Sequence, residues 1–377
     1  MNVERSAIDA ALAKVHDPEI HRPITELGMV DSVTIDGGAV SVRILLTVGG
    51  CPMRDTITNG VREALEAVDG VESIEVVLGV MNDEQRTAMR EKLQGPTKVI
   101  PFSKPGSLTR VIGVTSGKGG VGKSSLTVNL AVAMAARGKR VAIVDADVYG
   151  HSIPGMLGIT DLPTRIDDGF MLPPEAYGVK AVSMLPFKRG GSPEPVMFRG
   201  PMLHRVLEQF LSDFYFGDLD VLLLDLPPGT GDIAMSLAQL IPSSELLILT
   251  TPQPAASDVA VRAGMVAQQT NQRVVGVVEN MSSTPCPHCG EPMDLFGFGG
   301  GQMVADVLTR ELTAQVPLLA KIPFDVRLRE GGDAGRPLAA VSPDSAAGTA
   351  IFALADALLQ RPRGLVGQTL NVTPTKK

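Results

Sequence analysis

The chain has 377 residues, 44% of them hydrophobic and 20% charged, a balance typical of a globular protein with more than one hydrophobic core. Its net charge of −7 provides no overall positive field for nucleic-acid phosphates or anionic lipid, so we expect no nucleic-acid partner. The first residues lack the apolar core of a signal peptide, and no apolar run reaches membrane-spanning length. We therefore expect no membrane partner and a cytoplasmic location.

Residues 1–94 have the pattern of a small α+β domain. Apolar residues at helical spacing predict a first helix that stops at Asp17, just before a proline. The turn residues Asp36, Gly37 and Gly38 predict a β-hairpin. The hairpin strands are expected at 29–35 and 39–48, followed by a helix at 54–67, a strand at 71–78 and a helix at 83–93.

Residues 95–108 lose this periodicity, and Pro96, Pro101 and Pro105 predict an extended linker. Short apolar runs then alternate with longer helical stretches over 109–360, which predicts an α/β domain with a mostly parallel sheet covered by helices on both faces. Its strands are expected at 111–115, 141–144, 221–224, 246–250 and 274–278, and its helices at 123–136, 256–270 and 345–359. The polar tail 361–377 is predicted to be disordered.

A phosphate-binding motif lies between the first strand and helix of the second domain. Residues 117–124 match the spacing GxxxxGK[ST], in which glycines turn backbone N–H groups toward phosphate oxygens. Lys123 should reach the β and γ phosphates, and the Ser124 hydroxyl should ligate Mg²⁺. The alternative is a glycine-rich turn without a ligand. The predicted nucleotide-binding residues of the loop are Gly117, Lys118, Gly119, Gly120, Val121, Gly122, Lys123, Ser124 and Ser125.

Acidic residues follow two of the predicted strands, where open parallel sheets place their ligand chemistry. One strand runs into Asp145 and Asp147, and another runs into Asp225 and Gly229. A single aspartate after a strand is commonly a helix cap or a turn residue. Two such sites in register with a phosphate loop favour a functional interpretation.

Cys286 and Cys289 form a close pair in the motif CPHCG, bracketed by further prolines. Thiolates are soft ligands suited to iron–sulfur clusters and to Zn²⁺. A four-thiolate site needs two more cysteines, which this domain lacks, so a second chain must supply the rest. The alternatives are a redox dithiol, a zinc knuckle completed across a dimer with help from His288, or a pair without a function.

Lys118, which directly follows the first glycine of the loop, resembles the deviant P-loop of MinD, the nitrogenase iron protein and Mrp proteins. Together with the acidic strand ends and the CPHCG motif, it makes the chain similar to the Mrp (ApbC) family of iron–sulfur cluster carrier ATPases. That resemblance implies that Lys118 contacts nucleotide across a dimer interface. It implies that Asp147 positions or activates the attacking water, so Lys118, Lys123 and Asp147 are the candidate catalytic residues.

The same resemblance implies further ligands and partners. Asp225 would bind Mg²⁺ through water, the Gly229 N–H would sense the γ-phosphate, and Asn280 and Pro323 would lie at the adenine base. Either of the last two residues has an alternative role as an ordinary loop residue. The resemblance also implies ATP as the nucleotide and a homodimer that shares a [4Fe-4S] cluster between two Cys286–Cys289 pairs. The cluster would be passed to apo iron–sulfur proteins, with cluster-assembly proteins as further partners.

The first domain carries the segment TVGGCPM at 47–53, which resembles the signature of small SufT-like and PaaD-like domains. Cys51 stands between a predicted strand and helix, where the helix dipole favours a thiolate. It is a candidate cluster relay, and the alternative is a buried thiol without chemical consequence.

Two other function classes are possible for a P-loop protein of this type. A MinD-like or ParA-like positioning ATPase needs a basic amphipathic helix or a basic DNA surface, and neither is present in the sequence. Such a protein could still carry a dimer-bridging zinc knuckle. A reductase resembling the nitrogenase iron protein takes its cysteines from separated positions, unlike Cys286 and Cys289.

Overall fold

The computed structural model describes residues 3–47, 53–94, 99–147, 150, 152–167, 170–183, 200–229, 232–286 and 288–360. Cys51 with most of its signature (48–52), part of the linker (95–98) and the tail 361–377 lie outside the described residues, so the predictions made for them stay predictions. The described residues fall into two compact units.

The elements of the chain are, in order, α1 (Arg5–Leu12), β1 (Val30–Asp36), β2 (Ala39–Leu46), α2 (Arg54–Glu66), β3 (Ser73–Val80), α3 (Asp83–Gln94), a 3-10 helix (Pro101–Ser103), β4 (Arg110–Ser116), α4 (Lys123–Ala136), β5 (Val141–Asp145), α5 (Ile153–Met156), β6 (Thr164–Asp167), β7 (Phe170–Leu172), β8 (Glu175–Ala176), β9 (Val179–Val182), α6 (Gly200–Ser212), β10 (Val221–Asp225), α7 (Asp232–Leu240), β11 (Glu245–Thr250), α8 (Pro254–Thr270), β12 (Arg273–Glu279), β13 (Thr284–Pro285), β14 (Pro292–Met293), α9 (Gly300–Glu311), β15 (Leu318–Lys321), α10 (Val326–Asp333), α11 (Leu338–Val341) and α12 (Ala346–Gln360).

The smaller unit is built on a three-stranded sheet in the order β1-β2-β3. β1 and β2 are antiparallel and meet at the pair Asp36 and Ala39, so the predicted hairpin closes through Gly37 and Gly38. β3 runs parallel to β2, and α2 connects the two. α2 turns Ile57, Val61 and Leu65 inward at helical spacing, and all three are buried.

Two segments from later in the sequence also belong to the smaller unit, namely 163–172 and 212–217. Ile166 and Leu172 are buried in its hydrophobic core, and the Thr164 hydroxyl donates to a Glu19 carboxylate oxygen at 3.1 Å. The continuous domain 109–360 predicted from the sequence thus includes two segments whose contacts group them with the smaller unit. Burial of their apolar side chains against the first unit decides the division.

The linker also differs from its prediction. An extended conformation was expected throughout 95–108, but Pro101–Ser103 form a turn of 3-10 helix and Phe102 is 4% exposed. Proline at the first helical position favours such a turn because its fixed φ angle is already helical. A buried phenylalanine anchors this part of the chain, which belongs to the larger unit.

The larger unit has an eight-stranded sheet in the order β15-β12-β11-β4-β10-β5-β9-β8, flanked by helices. Its neighbouring strands pair in parallel except for the antiparallel edge strand β8. β4, β5, β10 and β11 are buried at every residue, as expected for central parallel strands. The predicted mostly parallel α/β fold and the small preceding domain with its own sheet are confirmed.

α4 is the central helix of this unit, and the predicted span 123–136 is confirmed. Its residues from Leu126 to Met134 are all buried, because α11 and α12 cover the side turned away from the sheet. A helix with apolar residues on all its faces is stable only when other elements cover each face. In the parts of the chain that the structure describes, no helix combines the length and apolar character needed to cross a membrane.

Candidate nucleotide and metal site

The phosphate loop lies between the end of β4 and the first turn of α4. Gly120 and Gly122 have φ angles of 79° and 85°, values that residues with a β carbon rarely adopt. A β carbon on Gly117 would stand 2.2 Å from the carbonyl carbon of Val259. The backbone of α8 therefore approaches the loop so closely that only glycine fits at Gly117.

Lys123 and Ser124 begin α4 and both contact the carboxylate of Asp225. Lys123 Nζ donates to Asp225 Oδ1 at 2.7 Å, and the Ser124 hydroxyl donates to Asp225 Oδ2 at 2.5 Å. The Thr127 hydroxyl, one turn later, donates to Oδ1 at 3.2 Å. Asp225 is fully buried, and burial raises its pKa, although the ammonium of Lys123 opposes that shift.

Asp145 occupies the same register position on β5 that Asp225 occupies on the adjacent strand β10. Burial and then the nearby charge of Asp225 raise its pKa to about 7. Asp145 Oδ2 accepts hydrogen bonds from the Ile153 N–H at 3.3 Å and the Ser183 hydroxyl at 3.1 Å. Its other oxygen, Oδ1, is buried and has no partner among the described residues.

These groups fit a magnesium–nucleotide complex. Mg²⁺ prefers oxygen ligands, and the site offers Ser124 Oγ, the Asp225 carboxylate and the unpartnered Oδ1 of Asp145. The glycine-shaped loop and the start of α4 supply backbone N–H groups for phosphate oxygens. A carboxyl pair with only one buried cation is electrostatically incomplete, which a divalent ion would correct.

Gly229 follows β10 with a φ angle of 102°, and its N–H donates to the Ser116 carbonyl at 2.8 Å. The N–H that was predicted to sense a γ-phosphate is therefore engaged with the strand that leads into the phosphate loop. Asp147 is half-buried, and its Oδ1 accepts from the Gly150 N–H at 3.1 Å. This contact is local to the chain just beyond β5.

Lys118 and Asn280 differ in burial and in their contacts with the loop. Lys118 is exposed, as a residue that reaches a second chain must be, and its carbonyl accepts from the Ser116 hydroxyl. Asn280 is 6% exposed, and its side-chain amide donates to the Val121 carbonyl at 2.9 Å. Ser125 lies in the first turn of α4, where its carbonyl accepts from Asn129.

Pro323 is half-buried on the segment that runs beside Asn280. The Ile322 N–H donates to the Glu279 carbonyl at 2.8 Å, and the Ser282 N–H donates to the Ile322 carbonyl at 3.0 Å. The structure thus brings the neighbourhoods of Asn280 and Pro323 together, although they are far apart in sequence.

Cys286 and Cys289 lie at the end of a short hairpin formed by β13 and β14. The Gly290 N–H donates to the Cys286 carbonyl at 2.9 Å and closes the turn. Backbone N–H groups of Cys289 and His288, followed by the Cys289 thiol, lower the pKa of Cys286. Cys286 is half-buried and Cys289 is exposed, so both thiols are free and reachable.

Within the described ranges, no three histidine, cysteine or acidic side chains are grouped closely enough to hold a metal ion. The cysteine hairpin therefore has two soft ligands to offer and needs others for a complete coordination shell.

A family model described as a NUBPL iron-transfer P-loop NTPase matches residues 107–359, which is more than half of the chain. This chain belongs to the NUBPL-type iron-transfer P-loop NTPases. A second model, described as an iron–sulfur cluster assembly protein, matches residues 5–76. The resemblance expected from the sequence is confirmed, and the phosphate loop and the cysteine hairpin both lie in the part of the chain that matches the NTPase family.

Two relatives by sequence cover nearly all of this P-loop NTPase, and one similar solved structure covers part of it. The iron–sulfur cluster carrier protein of Mycobacterium bovis is 56% identical over 99% of this chain and 97% of its own length. The protein of that name from Deinococcus radiodurans is 41% identical over 93% of this chain and 94% of its own length. The ADP complex of a nucleotide-binding protein from Archaeoglobus fulgidus is 36% identical, with a TM-score of 0.50, over 60% of this chain and 86% of that chain.

Sequence reasoning about this NTPase missed three buried polar residues that shape the site: Asp145, Thr127 and Glu279. Asp145 was noted as the first of two strand-end aspartates, but the second, Asp147, was chosen for function. Its signal was available, since Asp145 and Asp225 each end an apolar strand directly. Thr127 and Glu279 lie within a helix and a strand, where the sequence gives no sign of their partners.

Proposed function

We propose that this chain is an ATP-hydrolysing carrier that holds a [4Fe-4S] cluster between two copies of itself and delivers it to apoproteins. The observation that carries this proposal is a combination within one compact unit. A phosphate loop with a buried lysine–carboxylate site is joined through Asn280 to a pair of free thiols, the half-buried Cys286 and the exposed Cys289, that begins six residues further along the chain.

The nucleotide half of the proposal assigns roles to residues of the buried site. On ATP binding, Lys123 exchanges Asp225 for the β and γ phosphates, while backbone N–H groups of 117–124 surround the phosphate oxygens. Ser124 and, through water, Asp225 would hold Mg²⁺, which neutralises phosphate charge when bound. Asp145 would offer its buried Oδ1 as a further oxygen for the same ion. Each of these residues lies at the carboxyl end of a strand or the start of a helix.

The residues around the γ-phosphate complete the nucleotide half. The Gly229 N–H leaves the Ser116 carbonyl for the γ-phosphate, and Asp147 orients the attacking water. Lys118 of one copy reaches the nucleotide of the other, for which its exposure is a requirement. Asn280 and Pro323 form the edge of the base site, where an amide can both donate and accept.

The cluster half of the proposal treats the cluster as cargo. Each copy contributes Cys286 and Cys289, and two copies supply the four thiolates that such a cluster takes. The lowered pKa of Cys286 favours its thiolate, and the exposed Cys289 beside the half-buried Cys286 admits a second copy and then an acceptor.

Apo iron–sulfur proteins and cluster-assembly proteins are the proposed partners, in a reducing cytoplasm where paired thiols stay available. The smaller unit supports this assignment through its match to an iron–sulfur assembly model. Cys51 would relay a cluster to or from the hairpin.

The test is anaerobic reconstitution with iron and sulfide, followed by measurement of iron, zinc and acid-labile sulfide per chain. The wild type should hold about four irons per two chains, and Cys286→Ser and Cys289→Ser should lose the cluster. Cys51→Ser is the matched control and should keep it. Equal cluster content in all variants would contradict the proposal, and zinc without labile sulfide would favour a positioning ATPase with a zinc knuckle. Lys123→Ala should separately abolish ATP turnover.

A further inference from the structure

The cysteine pair lies in the segment between Glu279 and Gly301. A buried carboxylate, that of Glu279, joins the two ends of this segment through a hydrogen bond. Glu279, at the end of β12, is 1% exposed, and its Oε2 accepts from the Gly301 N–H at 2.6 Å. A β carbon on Gly301 would stand 2.6 Å from Glu279 Cβ, and one on Gly300 would stand 2.5 Å from the Ser257 hydroxyl. The two ends of the segment therefore meet in a joint that leaves no room for side chains on these glycines.

The first residue after Glu279 is fastened to the phosphate loop. Asn280 donates from its side chain to the Val121 carbonyl at 2.9 Å and from its backbone to the Thr250 carbonyl at 2.8 Å. A β carbon on Gly122 would stand 2.4 Å from Asn280 Nδ2. A shift of the loop at Val121 or Gly122 must therefore move Asn280.

Met281, the next residue, has a φ angle of 55°, in the left-handed region that costs free energy for a residue with a β carbon. Its side chain points back toward the phosphate loop, with Cε 3.8 Å from the position of a β carbon on Gly122. This unusual backbone redirects the chain from β12 into the hairpin.

The residues that follow Met281 each make backbone hydrogen bonds or strand pairs with other parts of the chain. The Ser282 N–H donates to the Ile322 carbonyl, and the Ser283 carbonyl accepts from the Phe324 N–H at 3.2 Å. Thr284 then pairs with Met293 in the hairpin. Anchored residues thus form a continuous path from the phosphate loop to Cys286.

We propose that Glu279 and Met281 are positioning residues that couple the nucleotide state of the phosphate loop to the exposure and reactivity of the Cys286 and Cys289 thiols. The coupling rests on the proposed nucleotide site. In a cluster-loaded dimer it would make cluster release depend on the bound nucleotide. Movement at Val121 passes through Asn280 and the left-handed turn at Met281, while the joint at Glu279 and Gly301 prevents the segment from swinging independently.

The test measures thiol alkylation in the full-length, cluster-free protein, with peptide mass spectrometry resolving each cysteine. Rates are compared without nucleotide, with ADP and with a non-hydrolysable ATP analogue. In the wild type, the analogue should change the rate at Cys286 or Cys289 at least threefold. Met281→Gly removes the strain and the side-chain contact, so the rate ratio should fall to about one while analogue affinity, measured by calorimetry, stays within threefold.

Thr313→Gly is the matched control, because Thr313 is also a left-handed residue, with φ 47°, but is exposed beyond the end of α9. This variant should keep the wild-type ratio. Glu279→Ala should reduce the ratio as Met281→Gly does, whereas Glu279→Gln retains an acceptor oxygen for the Gly301 N–H and should restore at least half of the nucleotide effect. Rescue by glutamine separates positioning from general loss of structure.

A wild type without any nucleotide effect on alkylation, despite measured nucleotide binding, would overturn the coupling but leave the carrier proposal intact. A wild-type ratio that persists in Met281→Gly and Glu279→Ala would also overturn it. The alkylation assay uses cluster-free protein, so its result does not depend on cluster reconstitution. A failure of reconstitution would refute the carrier proposal alone.

Discussion

Replacing Asp145 by asparagine removes a titratable group from the buried edge of the sheet while keeping its shape. In the wild type, burial and the charge of Asp225 raise the pKa of Asp145 from 3.8 to about 7. The Ser183 hydroxyl and the Ile153 N–H both donate to Oδ2, and an asparagine oxygen at that position can accept both. The substitution therefore changes charge more than contacts.

The sign and size of the effect follow from this pKa. A carboxyl whose pKa is higher in the folded than in the unfolded state lowers the free energy of unfolding as pH rises from the unfolded to the folded value. Each pKa unit corresponds to about 1.4 kcal/mol. Asp145→Asn should therefore exceed the wild type in free energy of unfolding by about 2 kcal/mol at pH 5 and by about 4 kcal/mol at pH 8.

Urea unfolding of the nucleotide-free protein in EDTA measures this difference. Because the chain has no tryptophan, far-ultraviolet circular dichroism is the suitable signal. Asp161→Asn, at an exposed position, is the matched control and should show the same difference from the wild type at both pH values. A stabilisation by Asp145→Asn that is equal at pH 5 and pH 8 would refute the electrostatic reasoning.

Two further predictions concern the steric limits of the phosphate loop and a buried ion pair that stabilises the larger unit. Gly117→Ala should abolish nucleotide binding in calorimetry, because its β carbon would stand 2.2 Å from Val259, whereas Gly119→Ala, with no atom nearer than 3.9 Å, should retain binding. Equal affinities would contradict the steric argument. Arg110 Nε donates to Glu245 Oε2 at 2.6 Å in a buried ion pair, and Arg273 Nη1 lies 3.5 Å from the other carboxylate oxygen. Because Arg273 is partly exposed and makes the longer contact, Arg110→Met should still cost about 3 kcal/mol of unfolding free energy by urea titration. Adding Glu245→Leu should recover most of that loss, and a single variant within about 1 kcal/mol of the wild type would show that Arg273 alone compensates the Glu245 charge.

Local patterns predicted much of the fold and the phosphate loop. The span of α4 follows from an apolar stretch that begins at a glycine-rich loop, and the hairpin between β1 and β2 follows from Gly37 and Gly38. In each case the determining residues are neighbours in sequence. The parallel sheet was predictable for a similar reason, since fully apolar strands alternate with helices.

Features that depend on distant pairing were not predictable. The positions of Asp145 and Asp225 at strand ends are visible in the sequence, but their direct pairing is not, because it depends on β5 and β10 being neighbours in the sheet. The carboxylate of Glu279 meets Gly301 across the whole cysteine segment. Ile166 lies in the core of the smaller unit although its sequence position is within the NTPase region. No local pattern encodes such partners.

Native mass spectrometry of the anaerobically reconstituted protein tests most directly whether two copies share one cluster. The account predicts a species of two chains plus one [4Fe-4S] cluster, and its disappearance in the Cys286→Ser variant. Cluster-loaded single chains, or dimers that carry zinc without sulfide, would contradict it.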